Sequence, residues 1–135
     1  MADSPRSLII AGSRDLDDQD ARAVEAVHDA FATFVSKHWW PDVILSGMAL
    51  GADTIGWQLA ELFEIPVRAF PVYSRDWSTL GPKAGPLRNQ RMVDDAHGLV
   101  VVRYPDSRGS ADVLRRARKK GIPIVDLVLE RRPHG

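Results

Sequence analysis

Five short, mostly apolar runs recur along this chain: LIIA at 8–11, VIL at 43–45, VRAF at 67–70, LVVV at 99–102 and IPIVDL at 122–127. Each is too short for a stable helix and reads as a buried strand. Between them the apolar residues fall at helical spacing. Val24, Val27, Phe31, Phe34 and Val35 share one face before the second run, and Ile55, Leu59, Leu62 and Phe63 before the third. Strands alternating with helices imply an α/β domain: a doubly wound, mostly parallel five-stranded sheet with helices on both faces.

The links in such a chain differ in kind. Those leading from helix to strand are short and built from stop signals, around Trp40 and Pro41, Ile65 and Pro66, His97 and Gly98, and Gly121. Those leading from strand to helix carry the chemistry: Gly12, Ser13 and Arg14; Ser46 and Gly47; Arg75, Asp76, Trp77, Lys83, Gly85, Arg88 and Asn89; and Ser107, Arg108, Gly109 and Ser110. In a parallel sheet all of these emerge at the carboxyl ends of the strands, where open α/β folds bind ligands. The polar residues therefore converge on one rim.

The stretch VILSGMALGAD at 43–53 reads as strand, tight turn and a helix starting near Gly51. Gly51, Ala52 and Asp53 bring little bulk to that helix start, where backbone N–H groups and the helix dipole favour an anion. Glycines are also needed wherever a chain turns sharply, so both readings stand for this stretch alone. Ser107 to Ser110 opens the last helix and offers a second cradle of the same kind. Arg14, Lys83, Arg88 and Arg108 are four cations from three strand-to-helix links, and arginine forks with backbone amides suit phosphate. Two cradles with a long loop between them fit a nucleotide or dinucleotide better than a lone phosphate.

Other residues admit two readings. Trp77 either stacks on a base or ribose or pins its loop to the body. Asp53 either takes a ribose hydroxyl or satisfies N–H groups in the first helical turn. Asp94 and Asp95 form either a dyad or a solvated helix end. The RRARKK run at 115–120 resembles a nucleic-acid patch but sits where a helix end favours cations anyway. Asp17 or Asp18 is expected to cap the first long helix. Residues 71–86 are expected to form a long irregular loop, with a short helix at 87–95.

Composition narrows the classes. At 135 residues the chain is expected to be one domain, 1–135, with loose ends at 1–6 and 130–135. Eighteen basic and eighteen acidic residues cancel, so no global field draws it to nucleic acid or membrane. The absence of cysteine excludes disulfides and thiolate chemistry. His28 and His38 have no ligand-spaced partners, so no metal site is expected. No apolar run reaches the roughly 18 residues of a membrane span, and a cytoplasmic protein is expected. Trp39, Trp40 and Trp57 suggest an apolar interface and a homodimer.

IIAGSRD at 9–15, LSGMALGAD at 45–53, GPKAGPLRNQRM at 81–92 and SRGSADVLRRA at 107–117 together resemble the SLOG superfamily. The resemblance is closest to its YspA-like (cpYpsA-related) branch. It implies a Rossmann-like fold, usually dimeric, that binds nucleotide-derived ligands such as NAD or ADP-ribose relatives at the rim, as a sensor or a small processing protein. No cofactor is certain. More distantly the chain is similar to cytokinin-activating phosphoribohydrolases, which carry GGxGTxxE where this chain reads DSRGSADV. Gly109 and Ser110 match, but Val113 stands at the glutamate position. If the hydrolase alternative holds, Asp53, Arg88 and Arg91 are the catalytic candidates, Asp15, Asp76, Asp106 and Asp112 are the other rim acids, and Val113→Glu should raise any residual hydrolase activity. Segments of the DprA family are also similar and imply a third alternative, single-stranded nucleic-acid binding. Leu50 departs from that family's usual arginine.

Overall fold

The computed structural model describes residues 5–48 and 51–131; the expectations placed on 1–4, on Leu50 and on 132–135 lie outside the described residues. The apolar runs form strands β1 (Ser7–Gly12), β2 (Val43–Ser46), β3 (Val67–Ala69), β4 (Gly98–Arg103) and β5 (Ile124–Val128). Helices α1 (Ala21–Lys37), α2 (Ala52–Leu62), α3 (Ser74–Leu80), α4 (Ala84–Asp95) and α5 (Arg108–Lys120) fill the crossovers, with a 3₁₀ turn at Gly81–Lys83. The sheet is parallel throughout, in the order β3-β2-β1-β4-β5. This is the Rossmann-like architecture expected from the alternation of strands and helices.

Side-chain alternation along the strands divides the interior in two. Leu8, Ile10, Ile44, Val100 and Val102 pack with α1 and α2 through Val27, Phe31, Phe34, Ile55 and Leu59. Ile9, Ala11, Leu45, Leu99 and Val101 face the other way, onto Met92 and Val93 of α4 and Val113, Leu114 and Ala117 of α5. Both faces of the sheet are covered, which is why its central strands read as continuous apolar runs.

Several local expectations are corrected. The cap of α1 is Asp20, whose carboxylate accepts from the Arg22 N–H, rather than Asp17 or Asp18. Asp17 instead holds the preceding turn by accepting from the Gln19 N–H at 2.9 Å. Residues 71–86 are not a long irregular loop but contain α3, the 3₁₀ turn and the start of α4. Helix α3 was hidden because it buries no residue and so shows no apolar stripe. Its start is closed by Asp76, which accepts from the Tyr73 N–H at 2.9 Å. Helix α4 begins before Gly85 and Pro86 rather than after them, since proline in a first helical turn loses no hydrogen bond. The ends at Arg6 and at 130–131 are tied: the Arg6 N–H donates to Asp42 at 2.8 Å, and the Glu130 carbonyl accepts from Arg22 at 3.3 Å.

Two glycines set how closely β1, α2 and β4 meet. Gly51 has φ 79°, and a Cβ there would lie 2.2 Å from the Ser13 carbonyl oxygen. A Cβ on Gly12 would lie 1.8 Å from the Val102 carbonyl oxygen and 2.7 Å from the Ala52 Cβ. Gly12→Ala must therefore move backbone, and we expect urea unfolding to show a loss of about 2–3 kcal/mol. Gly109→Ala, with nothing within 4 Å of its Cβ, should be neutral or gain up to about 1 kcal/mol. Equal stabilities for the two variants would contradict this account of the β1–β4–α2 junction.

Candidate functional site

Strands β1 and β4 are neighbours, but the helices that follow them pack on opposite faces of the sheet. The chain parts at their carboxyl ends, and such a switch point is where an open α/β sheet forms a crevice. A cleft of about 710 Å³ opens here. Gly12, Arg14 and Asp15 enter it from the end of β1 and the loop beyond, and Gly47 and Met48 from the turn after β2. Val72, Trp77, Gly85, Pro86, Arg88 and Asn89 come from the segment between β3 and β4. The start of α5 and the loop before it add Asp106, Ser107, Arg108, Gly109 and Asp112, and Arg131 reaches in from beyond β5.

Arg88 is the best-anchored of these. Its Nε donates to Asn89 Oδ1 at 2.9 Å, and its Nη1 donates to the carbonyls of Gly47 and Phe70. One side chain thus ties α4 to the carboxyl ends of β2 and β3. Burial lowers Arg88 from the ordinary guanidinium range; Asp53 opposes that shift, Arg14 adds to it, and Asp112 opposes it more weakly. Such a cation, partly desolvated and beside a second one, is stabilised by an incoming anion.

Asn89 continues the chain of contacts, donating through Nδ2 to Asp112 Oδ2 at 2.9 Å. Asp112 also accepts from Arg115 at 2.7 Å and from Arg116 at 2.9 Å. Desolvation would raise its pKa, but the hydrogen bonds from Arg116 and Asn89 and the charges of Arg116 and Arg115 outweigh it and hold the carboxyl below its usual range. Asp112 is therefore an ionised acceptor facing the cleft, suited to hydroxyl donors and unsuited to giving up a proton near neutrality. Neighbouring Val113 points into the core and is 2% exposed.

Ten of the expected ligand residues meet at this cleft: Gly12, Arg14, Gly47, Trp77, Gly85, Arg88, Asn89, Ser107, Arg108 and Gly109. Trp77 is half exposed at its wall rather than buried as a pin. The others take different places. Ser13 is 1% exposed, and its Oγ accepts from the Tyr104 N–H at 2.8 Å. Ser46 Oγ accepts from the Met48 N–H at 3.2 Å, and Ser107 Oγ donates to Ser110 Oγ at 2.7 Å. The Ala52 N–H donates to the Ser13 carbonyl at 3.1 Å, so the start of α2 is covered by the loop after β1. Gly51 and Ala52 thus serve that junction, and α5 provides the helix start that borders the cleft. Lys83 and Arg91 are exposed outside the cleft. Asp53 is buried and lines a separate cavity of about 410 Å³ with Ser46, Met48, Trp57 and Glu61.

Sequence reasoning placed Asp15, Asp106 and Asp112 on the rim only as acids. It did not single out Met48, Val72, Pro86 or Arg131 for the site. Nothing in the sequence pattern marks Arg131, which lies beyond the last strand. The RRARKK run is largely committed within the molecule. Lys120 Nζ donates to the carbonyls of Val93, Asp94 and Ala96 at the end of α4, and Arg118 lies 3.9 Å from Asp126. Asp94 accepts from Gln90 at 2.8 Å, and Asp95 pairs with Arg68 at 2.9 Å, so each carboxylate has its own partner. No cluster of three or more metal-ligating side chains occurs among the described residues, and none of their helices is long and apolar enough to cross a membrane.

No family model matches the chain. In fold it resembles DNA processing protein A (DprA) from Streptococcus pneumoniae, with a TM-score of 0.50 at 18% identity over 90% of this chain. The match spans 58% of that protein's length, and at this identity the likeness concerns the fold alone. The Gene 61 protein of Mycobacterium phage D29 is 33% identical over 128 residues, covering 90% of this chain and 95% of that protein. Over essentially its whole length, then, the chain belongs to the family of the phage D29 Gene 61 protein.

Proposed function

We propose that this chain is a single nucleotide-binding domain that takes a nucleotide or an NAD- or ADP-ribose-derived ligand in the cleft, as a sensor or small processing protein. The proposal includes its placement in the YspA-like branch of the SLOG superfamily. The observation that carries it is the meeting of Arg14, Arg88 and Arg108 from three separate segments at the switch point, with Arg88 partly desolvated. The start of α5 supports phosphate, Asp112 and Asn89 support sugar hydroxyls, and Trp77 supports a ring.

Calorimetry against ADP-ribose, NAD, ATP, a cyclic nucleotide and a single-stranded oligonucleotide tests the reading. We expect one of the small nucleotides to bind, and Arg108→Ala to weaken it by about 1.5–3 kcal/mol for a lost charge-assisted hydrogen bond. The melting temperature should be unchanged, because Arg108 is exposed. Unchanged affinity would remove Arg108 from the site. Binding of the oligonucleotide alone would favour the nucleic-acid reading suggested by the name of the streptococcal relative in fold.

The same cleft argues against N-glycosidic hydrolysis, which needs a group able to assist the departing base. We expect negligible release of free adenine or nicotinamide. Val113→Glu should not restore activity, since it buries a carboxylate in the helix–sheet core, and should cost about 3 kcal/mol or more. Base release by the unmodified protein at an ordinary enzyme rate would overturn the binder reading and make Asp112 the carboxylate to replace.

Association belongs to the proposal as well. Trp40 is 50% exposed and packs edge-on to Phe31 and Phe63, with Leu62 exposed nearby on α2. Trp39 and Trp57 are half-buried, so Trp40, Leu62 and Phe63 are the apolar surface on which a homodimer is expected. Sedimentation at micromolar concentration should give twice the 15.0 kDa chain mass; a 15.0 kDa species would contradict it.

A further inference from the structure

Two exposed carboxylates stand in the lining of the cleft. Asp15 stands on the loop after β1 and Asp106 on the loop after β4, both lining the cleft. Neither suits a phosphate site. Arg131 spans them: its Nη1 donates to Asp15 Oδ2 at 2.7 Å, and its Nη2 to Asp106 Oδ1 at 2.9 Å and Oδ2 at 3.2 Å. The guanidinium lies 4.2 Å from the centre of the Tyr104 ring, a cation–π contact. The segment carrying it is held by the Leu129 N–H, which donates to the Arg103 carbonyl at 2.8 Å, and by Arg22 on the Glu130 carbonyl.

We infer that Arg131 is a positioning residue of the ligand site, supplied by the segment after β5, which partly offsets the charge of Asp15 and Asp106 and so favours an anionic ligand beside Arg14 and Arg108. The inference rests on the reading of the cleft as an anion site and adds what decides its selectivity. A chain lacking Arg131 presents two uncompensated carboxylates in the cleft lining and should discriminate against phosphorylated ligands by charge. It should also lose the bridge that joins the loops after β1 and β4. These contacts are exposed, so the charge effect is modest and sensitive to salt.

The test measures ADP-ribose affinity by calorimetry for the unmodified protein, Arg131→Ala, the pair Asp15→Asn with Asp106→Asn, and the triple variant. At about 0.01 M salt Arg131→Ala should weaken binding about two- to five-fold, and at about 1 M salt the difference should vanish. The triple variant should bind at least as tightly as the unmodified protein, and the asparagine pair more tightly still. A triple variant as weak as Arg131→Ala would mean that Arg131 touches the ligand itself, which overturns the neutralising role. An unchanged Arg131→Ala, or an asparagine pair weaker than the unmodified protein, would overturn it too. If the unmodified protein binds neither ADP-ribose nor the other nucleotides, the reading of the cleft fails first; binding with the wrong variant pattern removes this inference alone.

Discussion

The rim of this molecule hangs on Ser13. Its N–H donates to the Val102 carbonyl at 3.1 Å, its carbonyl accepts from the Ala52 N–H at 3.1 Å, and its hydroxyl accepts from the Tyr104 N–H at 2.8 Å. One buried residue thereby joins the ends of β1 and β4 to the start of α2. Gly12 and Gly51 are its conditions, because a side chain at either position would collide with this junction. With these backbone groups paired inside the protein, little of the loop after β1 is left to meet a ligand except Arg14 and Asp15. Satisfying buried backbone polar groups is the general requirement, and at a switch point it also decides which loop residues remain for binding.

Arg88 does for the opposite side what Ser13 does for the centre. Its fork draws α4 onto the turn after β2 and the end of β3, and Asn89 carries the connection on to Asp112 of α5. The cleft therefore has a wall whose charges are held in place by hydrogen bonds before any ligand arrives. Preorganised donors of that kind bind with less ordering cost than flexible surface cations. Arg14 and Arg108 are both exposed, and no side-chain hydrogen bond to another described residue holds either of them.

Much of this was legible in the sequence. The strands are apolar runs bounded by glycine and proline, and a parallel sheet puts all the strand-to-helix links on one rim, so the cleft followed from topology. What escaped was of two kinds. Helix α3 carries no apolar stripe and Ala84, Gly85 and Pro86 look like breakers, so periodicity had nothing to report there. The second kind concerns roles: Ser13, Gly51 and Ala52 sit on the rim by chain order, yet their polar groups or their compactness serve the junction. Chain order cannot tell a residue that lines a cleft from one that holds its wall. Arg131 shows the reverse case, a residue brought into the cleft lining by a segment whose course no local pattern foretells.

Where a ligand's phosphates come to rest is the most direct measure of this account. A crystal structure grown with ADP-ribose should show the diphosphate between Arg14, Arg88 and Arg108 at the start of α5, with sugar hydroxyls toward Asn89 and Asp112. A ligand seated instead against Asp53 and Trp57 on α2, with the cleft unfilled, would contradict it.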